Sequence, residues 1–74
     1  MGQEHQLDVR PLTLPQRFSA IFAKLDELGA GDSLLLFNDF EPLPLFSELE
    51  RRGYTYESRQ TGATEWHIKI SRAS

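Results

Sequence analysis

Apolar side chains recur along this chain with two different periods, and each change of period marks a new element. Residues 6–10, QLDVR, alternate: Leu7 and Val9 point one way, Asp8 and Arg10 the other, as in a short strand with one buried face. Pro11 has no N–H to give a ladder and ends it. The period then lengthens. Phe18, Ile21, Phe22, Leu25 and Leu28 fall at i, i+3, i+4, i+7 and i+10, an apolar stripe along one helix face. Thr13 and Gln16 have capping-box spacing, Pro15 suits a first turn, and Gly29 is the expected left-handed terminator.

SLLLF, residues 33–37, is apolar throughout and too short for a helix, so it reads as a central strand. Asn38 and Asp39 supply local hydrogen bonding for a turn. In EPLPLFSELERRG, residues 41–53, Pro42 and Pro44 confine themselves to a first helical turn and Glu41 complements the positive end of the dipole. Leu45, Phe46 and Leu49 form the apolar side, Arg51 and Arg52 suit the C-terminus, and Gly53 stops the helix. YTYESR and TEWHIKI alternate again and are joined by QTGA, a hairpin signal. Tyr54 and Tyr56 share one face, as do Trp66, Ile68 and Ile70; Glu65, His67 and Lys69 face oppositely.

The order is β-α-β-α-β-β. Right-handed crossovers place both helices on one side of a four-stranded mixed sheet, giving an α+β two-layer sandwich. One domain is expected over residues 6–71, between a flexible N-terminus, 1–5, and a tail, 72–74. The uncovered sheet face should hold Asp8, Arg10, Thr55, Glu57, Arg59, Glu65, His67 and Lys69. The run Leu34–Phe37 must send one apolar pair outward onto it, and the sequence leaves open which pair. That spot is a candidate contact surface, unless the stems of Arg59 and Lys69 cover it.

Composition narrows the function. At 74 residues the chain is near the lower limit for a single unassisted apolar core. The absence of cysteine excludes disulfides, thiolate zinc sites and thiol catalysis, and suits a reducing cytoplasm. A net charge of −3 opposes general nucleic-acid or anionic-membrane binding. No apolar run approaches the roughly 20 residues needed to cross a bilayer. MGQEHQLDV has no charged-then-apolar pattern, so no export signal is expected and the location is read as cytoplasmic.

LDVRPLTLPQR, with this element order, resembles the SirA/TusA-like sulfur-carrier fold, shared more distantly with the C-terminal domain of translation initiation factor three. LDVRPL, NDFEPLPLF, ELERRGYTY and EWHIKI look like a family of small bacterial domains of unknown function. Its members occur alone, in tandem or beside hemerythrin-like domains, and the similarity runs from Leu7 to Ile70. Sulfur carriers of this fold present a Cys-Pro-x-Pro turn whose cysteine sits at a helix N-terminus. The matching residues here are Leu14, Pro15, Gln16 and Arg17. A leucine cannot carry sulfur, so the resemblance implies a turn kept for geometry rather than a nucleophile. Some members of the small-domain family carry an Asp-His-Asp-Pro pattern. Asp39-Phe40-Glu41-Pro42 lacks its imidazole, which removes the basis for a metal or haem role. RNA binding, which the initiation-factor likeness would allow, is opposed by the acidic charge balance.

Eight residues stand out as binding candidates: Asp8, Arg10, Thr13, Pro15, Arg17, Asp39, Glu41 and His67. Arg10, Arg17 and the helix start could hold an anion; equally, Asp8 and Arg10 could belong to an exposed charge ladder. Asp39 and Glu41 could pair as acid and base, or serve as turn and helix-start residues. His67 has only His5 as an imidazole partner, so a solvated histidine is expected rather than a metal ligand. Trp66, Tyr54 and Tyr56 are expected in the core rather than on a stacking platform. No catalytic residue, metal or cofactor is expected. The reading is a non-catalytic binding or accessory module. It docks a protein partner, associated with a redox or metal centre, or a second copy of itself, through the open sheet face and the Thr13–Arg17 turn. The alternatives are a small-anion or metabolite domain with an enzyme-like site near Arg10, Arg17, Asp39 and Glu41, and a cysteine-less helper in sulfur relay.

Overall fold

The computed structural model describes residues 2–72. In it the chain forms β1 (Glu4–Asp8), α1 (Leu14–Asp26), β2 (Ser33–Asn38), α2 (Leu43–Arg51), β3 (Tyr54–Gly62) and β4 (Glu65–Arg72), the expected order. The four strands make one mixed sheet in the order β1-β2-β4-β3. β1 runs parallel to β2, while β4 lies antiparallel to β2 on one side and to β3 on the other. α1 therefore links two adjacent parallel strands, and α2 carries the chain past the place of β4 to the far edge.

One face of the sheet is apolar. Leu34 and Leu36 of β2 oppose Ile70 and Ile68 of β4, and all four are fully buried. Ile21 and Leu25 of α1 join the same core as Leu45, Phe46 and Leu49 of α2. Both helices meet the same strand faces, so both cover the same side. Each of these side chains stabilises the fold by about 1.5–3 kcal/mol when fully buried. Tyr54, Tyr56 and Trp66 pack at the margin of this core, as their alternation implies. Tyr56 stacks on Phe46 at 4.2 Å between ring centroids and donates its hydroxyl to Glu50 at 2.8 Å. That bond raises the Tyr56 pKa above the usual phenol value.

The outward pair of the Leu34–Phe37 run is Leu35 and Phe37, both half-buried. Lys69 stands beside Leu35 in register and His67 beside Phe37, the two rings meeting edge-on at 4.8 Å.

α1 starts as its sequence predicts. The Gln16 amide donates to Thr13 Oγ1 at 3.4 Å, and the Thr13 amide donates to Gln16 Oε1 at 3.1 Å. The start of α2 differs from expectation. Pro42 occupies the cap, no side chain caps the helix and no acidic residue lies in its first turn. Glu41 contributes its carbonyl, which accepts the Leu43 amide at 3.0 Å, rather than its carboxylate.

Asp32 accounts for two further differences. It accepts the Gln3 amide at 2.8 Å, the Gly29 amide at 2.9 Å and His5 Nε2 at 3.3 Å. These bonds hold its pKa below the usual carboxylate value. Glu4 and His5, expected in a flexible segment, are thereby tied into β1; Met1 lies outside the described residues. Gly29 is not left-handed, since the Asp32 carboxylate closes this turn and the positive φ of 81° falls on Gly31. α1 ends at Asp26, so Leu28 is buried from the loop rather than from the helix.

β1 stops at Asp8 because the Asp8 carboxylate accepts the Arg10 amide at 3.0 Å and turns the chain. β3 continues to Gly62 through a register shift between Gln60 and Gly62, which shortens the hairpin loop. Of the tail expected over 72–74, Arg72 instead closes β4 by pairing with Tyr54, while Ala73 and Ser74 lie outside the described residues. Among the described residues no helix is long and apolar enough to cross a membrane.

Candidate docking site

β1 and β2 are parallel, so the helices that follow them start at the same end of the sheet, where open α/β sheets form their ligand crevices. A groove of about 130 Å³ lies between the two starts. Leu14, Phe18 and Ile21 of α1 form one wall; Phe40, Pro42, Pro44 and Leu45 form the other. The walls are almost wholly apolar.

Exposure picks this groove out. Leu14 is 58 % exposed, Phe40 42 % and Phe18 39 %. Among the described residues the remaining exposed large hydrophobe is Leu43, in the first turn of α2. Three of these four side chains therefore line one groove. Phe18 thus departs from the core position its helical stripe implies and stacks beside Phe22 at 6.2 Å.

The polar frame behind the groove is saturated. Arg17 Nε donates to the Leu12 carbonyl at 2.9 Å. Its Nη1 donates to Asn38 Oδ1 and Asp39 Oδ1, each at 2.8 Å. Its Nη2 donates to the Arg10 carbonyl at 3.0 Å and Asp39 Oδ2 at 3.2 Å. All five N–H groups of the guanidinium thus have protein acceptors. The Arg17 side chain, 11 % exposed, holds the Asp39 carboxyl below its usual range. Asn38, fully buried, completes the link by donating Nδ2 to the Phe40 carbonyl at 2.8 Å, which fixes the loop that carries Phe40. The guanidinium also lies 5.5 Å from the Phe40 ring centroid.

The other candidates lie elsewhere around this end. Arg10 grips Asp8 with two bonds, at 2.9 and 2.8 Å, and lies 3.6 Å from Glu65. Glu65 in turn is 3.3 Å from His67 Nε2. Asp8, Arg10 and His67 thus belong to one polar chain, linked through Glu65, on the open sheet face. Arg10 lowers the Asp8 pKa to about 2, chiefly by its side-chain hydrogen bond. Thr13 is occupied by its capping box, and Pro15 faces a shallow depression with Leu12 and Ser19, away from the groove. Glu41 is exposed and forms no ion pair among the described residues. No cluster of three metal-ligating side chains occurs among the described residues.

Two contributors escape the sequence reading: Phe40 and the outward role of Leu14. Leu14 carries a signal, since it precedes Phe18 by four residues and Ile21 by seven, extending the apolar stripe backwards to the first residue after the cap. Phe40 carries none, because its loop is held by Asn38, whose local turn bond was expected but whose link to Arg17, 21 residues away in the chain, was not.

Residues 6–72 match the family model described as "Uncharacterized conserved protein (DUF2249)". No curated protein and no solved structure matches the chain.

Proposed function

The chain belongs to the DUF2249 family of uncharacterized conserved proteins, and from that premise we propose that it is a non-catalytic docking module. Its groove at the helix starts receives one bulky apolar side chain of a protein partner. The observation that carries this reading is the coincidence of Leu14, Phe18 and Phe40, all exposed, on one apolar groove. Exposed apolar patches of this kind mark interaction sites on small proteins. The size fits a single ring or branched aliphatic group, since an apolar cavity of about 150 Å³ takes benzene.

Competing readings find less support. An anion site needs donors, yet Arg17 spends all of its own within the protein and Arg10 is held by Asp8. At the start of α1, Pro15 has no N–H and the Gln16 amide is taken by Thr13. Acid–base catalysis needs one carboxyl pushed upward, whereas Asp39 is lowered by its ion pair. On the open sheet face Leu35 and Phe37 are half-buried among polar neighbours, a poorer anchor than the groove.

The SirA/TusA-like resemblance supports the location, because it is at this helix start that sulfur carriers present their working residue. Leu14 offers contact area there, so any part in sulfur relay is contact without transfer. A bacterial, cytoplasmic setting, and a partner near hemerythrin-like or other redox and metal centres, rest on that resemblance alone.

N-acetyl-phenylalanine amide is a suitable probe, titrated to millimolar concentration against the amide and methyl resonances. Shifts centred on Leu14, Phe18, Phe40 and Leu45 are expected, and Leu14→Ser should abolish most of them while changing stability by no more than about 0.5 kcal/mol. Shifts centred on Leu35 and Phe37 would move the docking face to the open sheet. Phosphate moving the amides of Thr13, Leu14, Gln16, Arg17 and Phe18 would favour the anion reading instead.

A further inference from the structure

β3 lies at a free edge of the sheet. With nine residues it is the longest strand among the described residues, and every residue from Glu57 to Gly62 is exposed. Ser58 and Gln60 share the face of Tyr56, toward the helix layer, yet both are exposed, so no helix overhangs this half of the edge. Protein edges are ordinarily blunted by proline, charge (lysine above all), a bulge, a covering element or short length. Here the irregularity lies between Gln60 and Gly62, at the end of the strand, and the two charges are of opposite sign. β3 is long and contains neither proline nor lysine. Its two charges, Glu57 and Arg59, flank Ser58 on the open sheet face, and among the described residues neither forms an ion pair.

We infer that β3 is a self-pairing edge: two copies of the chain join antiparallel along β3 about a two-fold axis at Ser58, merging two four-stranded sheets into one of eight strands. A two-fold pairing that keeps the open faces together sets residues equidistant from the axis opposite each other on the same face. With the axis at Ser58, Glu57 meets the partner's Arg59 and Arg59 meets the partner's Glu57. Moving the axis to Glu57 would oppose two carboxylates, and moving it to Arg59 would oppose two guanidinia. The charge pattern therefore selects one register. The irregularity between Gln60 and Gly62 ends the ladder on one side, limiting it to residues 56–60 of each copy. Lys69, beside Glu57 in the register of β4, places a further positive charge near the carboxylate. A ladder of this length buries less than about 1,200 Å², so the dimer is a weak one that forms at high protein concentration.

Charge reversal tests the pairing without touching the core. Sedimentation and amide shifts of the full chain are followed from micromolar to millimolar concentration at low salt, with circular dichroism confirming the fold of each variant. The wild type should associate with shifts confined to residues 56–60. E57R and R59E, each opposing like charges twice, should weaken association by roughly tenfold or more, and the double variant E57R/R59E should restore it. A wild type that stays monomeric at millimolar concentration, association that shifts the groove or β1 instead, or a double variant no better than the single ones would overturn the inference. Leu14→Ser should leave this association unchanged, so failure of the groove and failure of the edge are separately visible.

Discussion

Asp8, the last residue of β1, and Arg10, in the turn two residues on, are both exposed and form a bidentate pair. The hydrogen bonds from Arg10 bring the Asp8 pKa from 3.8 down to about 2 in the folded protein. A carboxyl with a depressed folded pKa adds stability above its unfolded pKa and loses it as pH falls through the folded one. Wild type should therefore exceed Asp8→Asn in stability at neutral pH, and the gap should close as pH falls from about 4 to about 2. Both side chains are over one-third exposed, so solvent screening keeps the gap to no more than about 1 kcal/mol. Chemical denaturation of both proteins across this pH range checks it, and a gap that widens toward low pH would contradict the pairing. That two oppositely charged residues share a face is visible in the alternation of QLDVR. That they close on each other, and reach Glu65, depends on the turn at Pro11 and on where β4 begins.

Elements are joined at this end of the molecule by Arg17. It lies on α1 but bonds to the 10–12 turn through two carbonyls and to the end of β2 through Asn38 and Asp39. Bonds to a charged group contribute about 1.5–3 kcal/mol each when one partner is removed, and they are not additive within one network. Arg17→Ala should cost about 2–3 kcal/mol in urea denaturation. Arg17→Lys should recover less than half, because an ammonium cannot reproduce the planar fork. The same variants should broaden the Phe40 resonances, since Asn38 holds that loop through its carbonyl. The start of α1 was legible, since the capping box at Thr13 and Gln16 appears as expected, and so was the position of α2, although Pro42 takes its cap and Glu41 acts through its carbonyl. The clamp between them was not, because arginine at a helix position looks alike whether it faces solvent or a distant carboxylate.

For the whole molecule the decisive quantity is how little core there is. Among the described residues eleven buried hydrophobic side chains form it, drawn from both helices, two strands and the loops between them. A domain of this length has a stability of roughly 4–11 kcal/mol at the usual value per residue. Ile68, fully buried in β4 between β2 and β3, should cost about 2–5 kcal/mol when cut to alanine. That is a large share of the total, and Ile68→Ala should be partly unfolded at moderate temperature by thermal circular dichroism. Leu35→Thr on the opposite face should shift the midpoint far less, because Leu35 is half-buried. Equal effects would mean that the open face is covered.

The sequence by itself determined the elements, their order and, for the helices and the alternating strands, the face each one buries, because periods of two and of 3.6 are written in consecutive residues; the apolar run of β2 carries no such period. It also determined that no thiol chemistry is available, because the chain contains no cysteine. Only the tertiary structure decided that Leu35 and Phe37 look outward, that Gly31 rather than Gly29 takes the left-handed turn, and that Leu14, Phe18 and Phe40 line one groove. Each of these is set by contacts between segments far apart in the chain: β4 against β2, Asp32 against Gln3, Arg17 against Asp39. A local pattern states which side chains avoid water; it does not state what another segment has already covered.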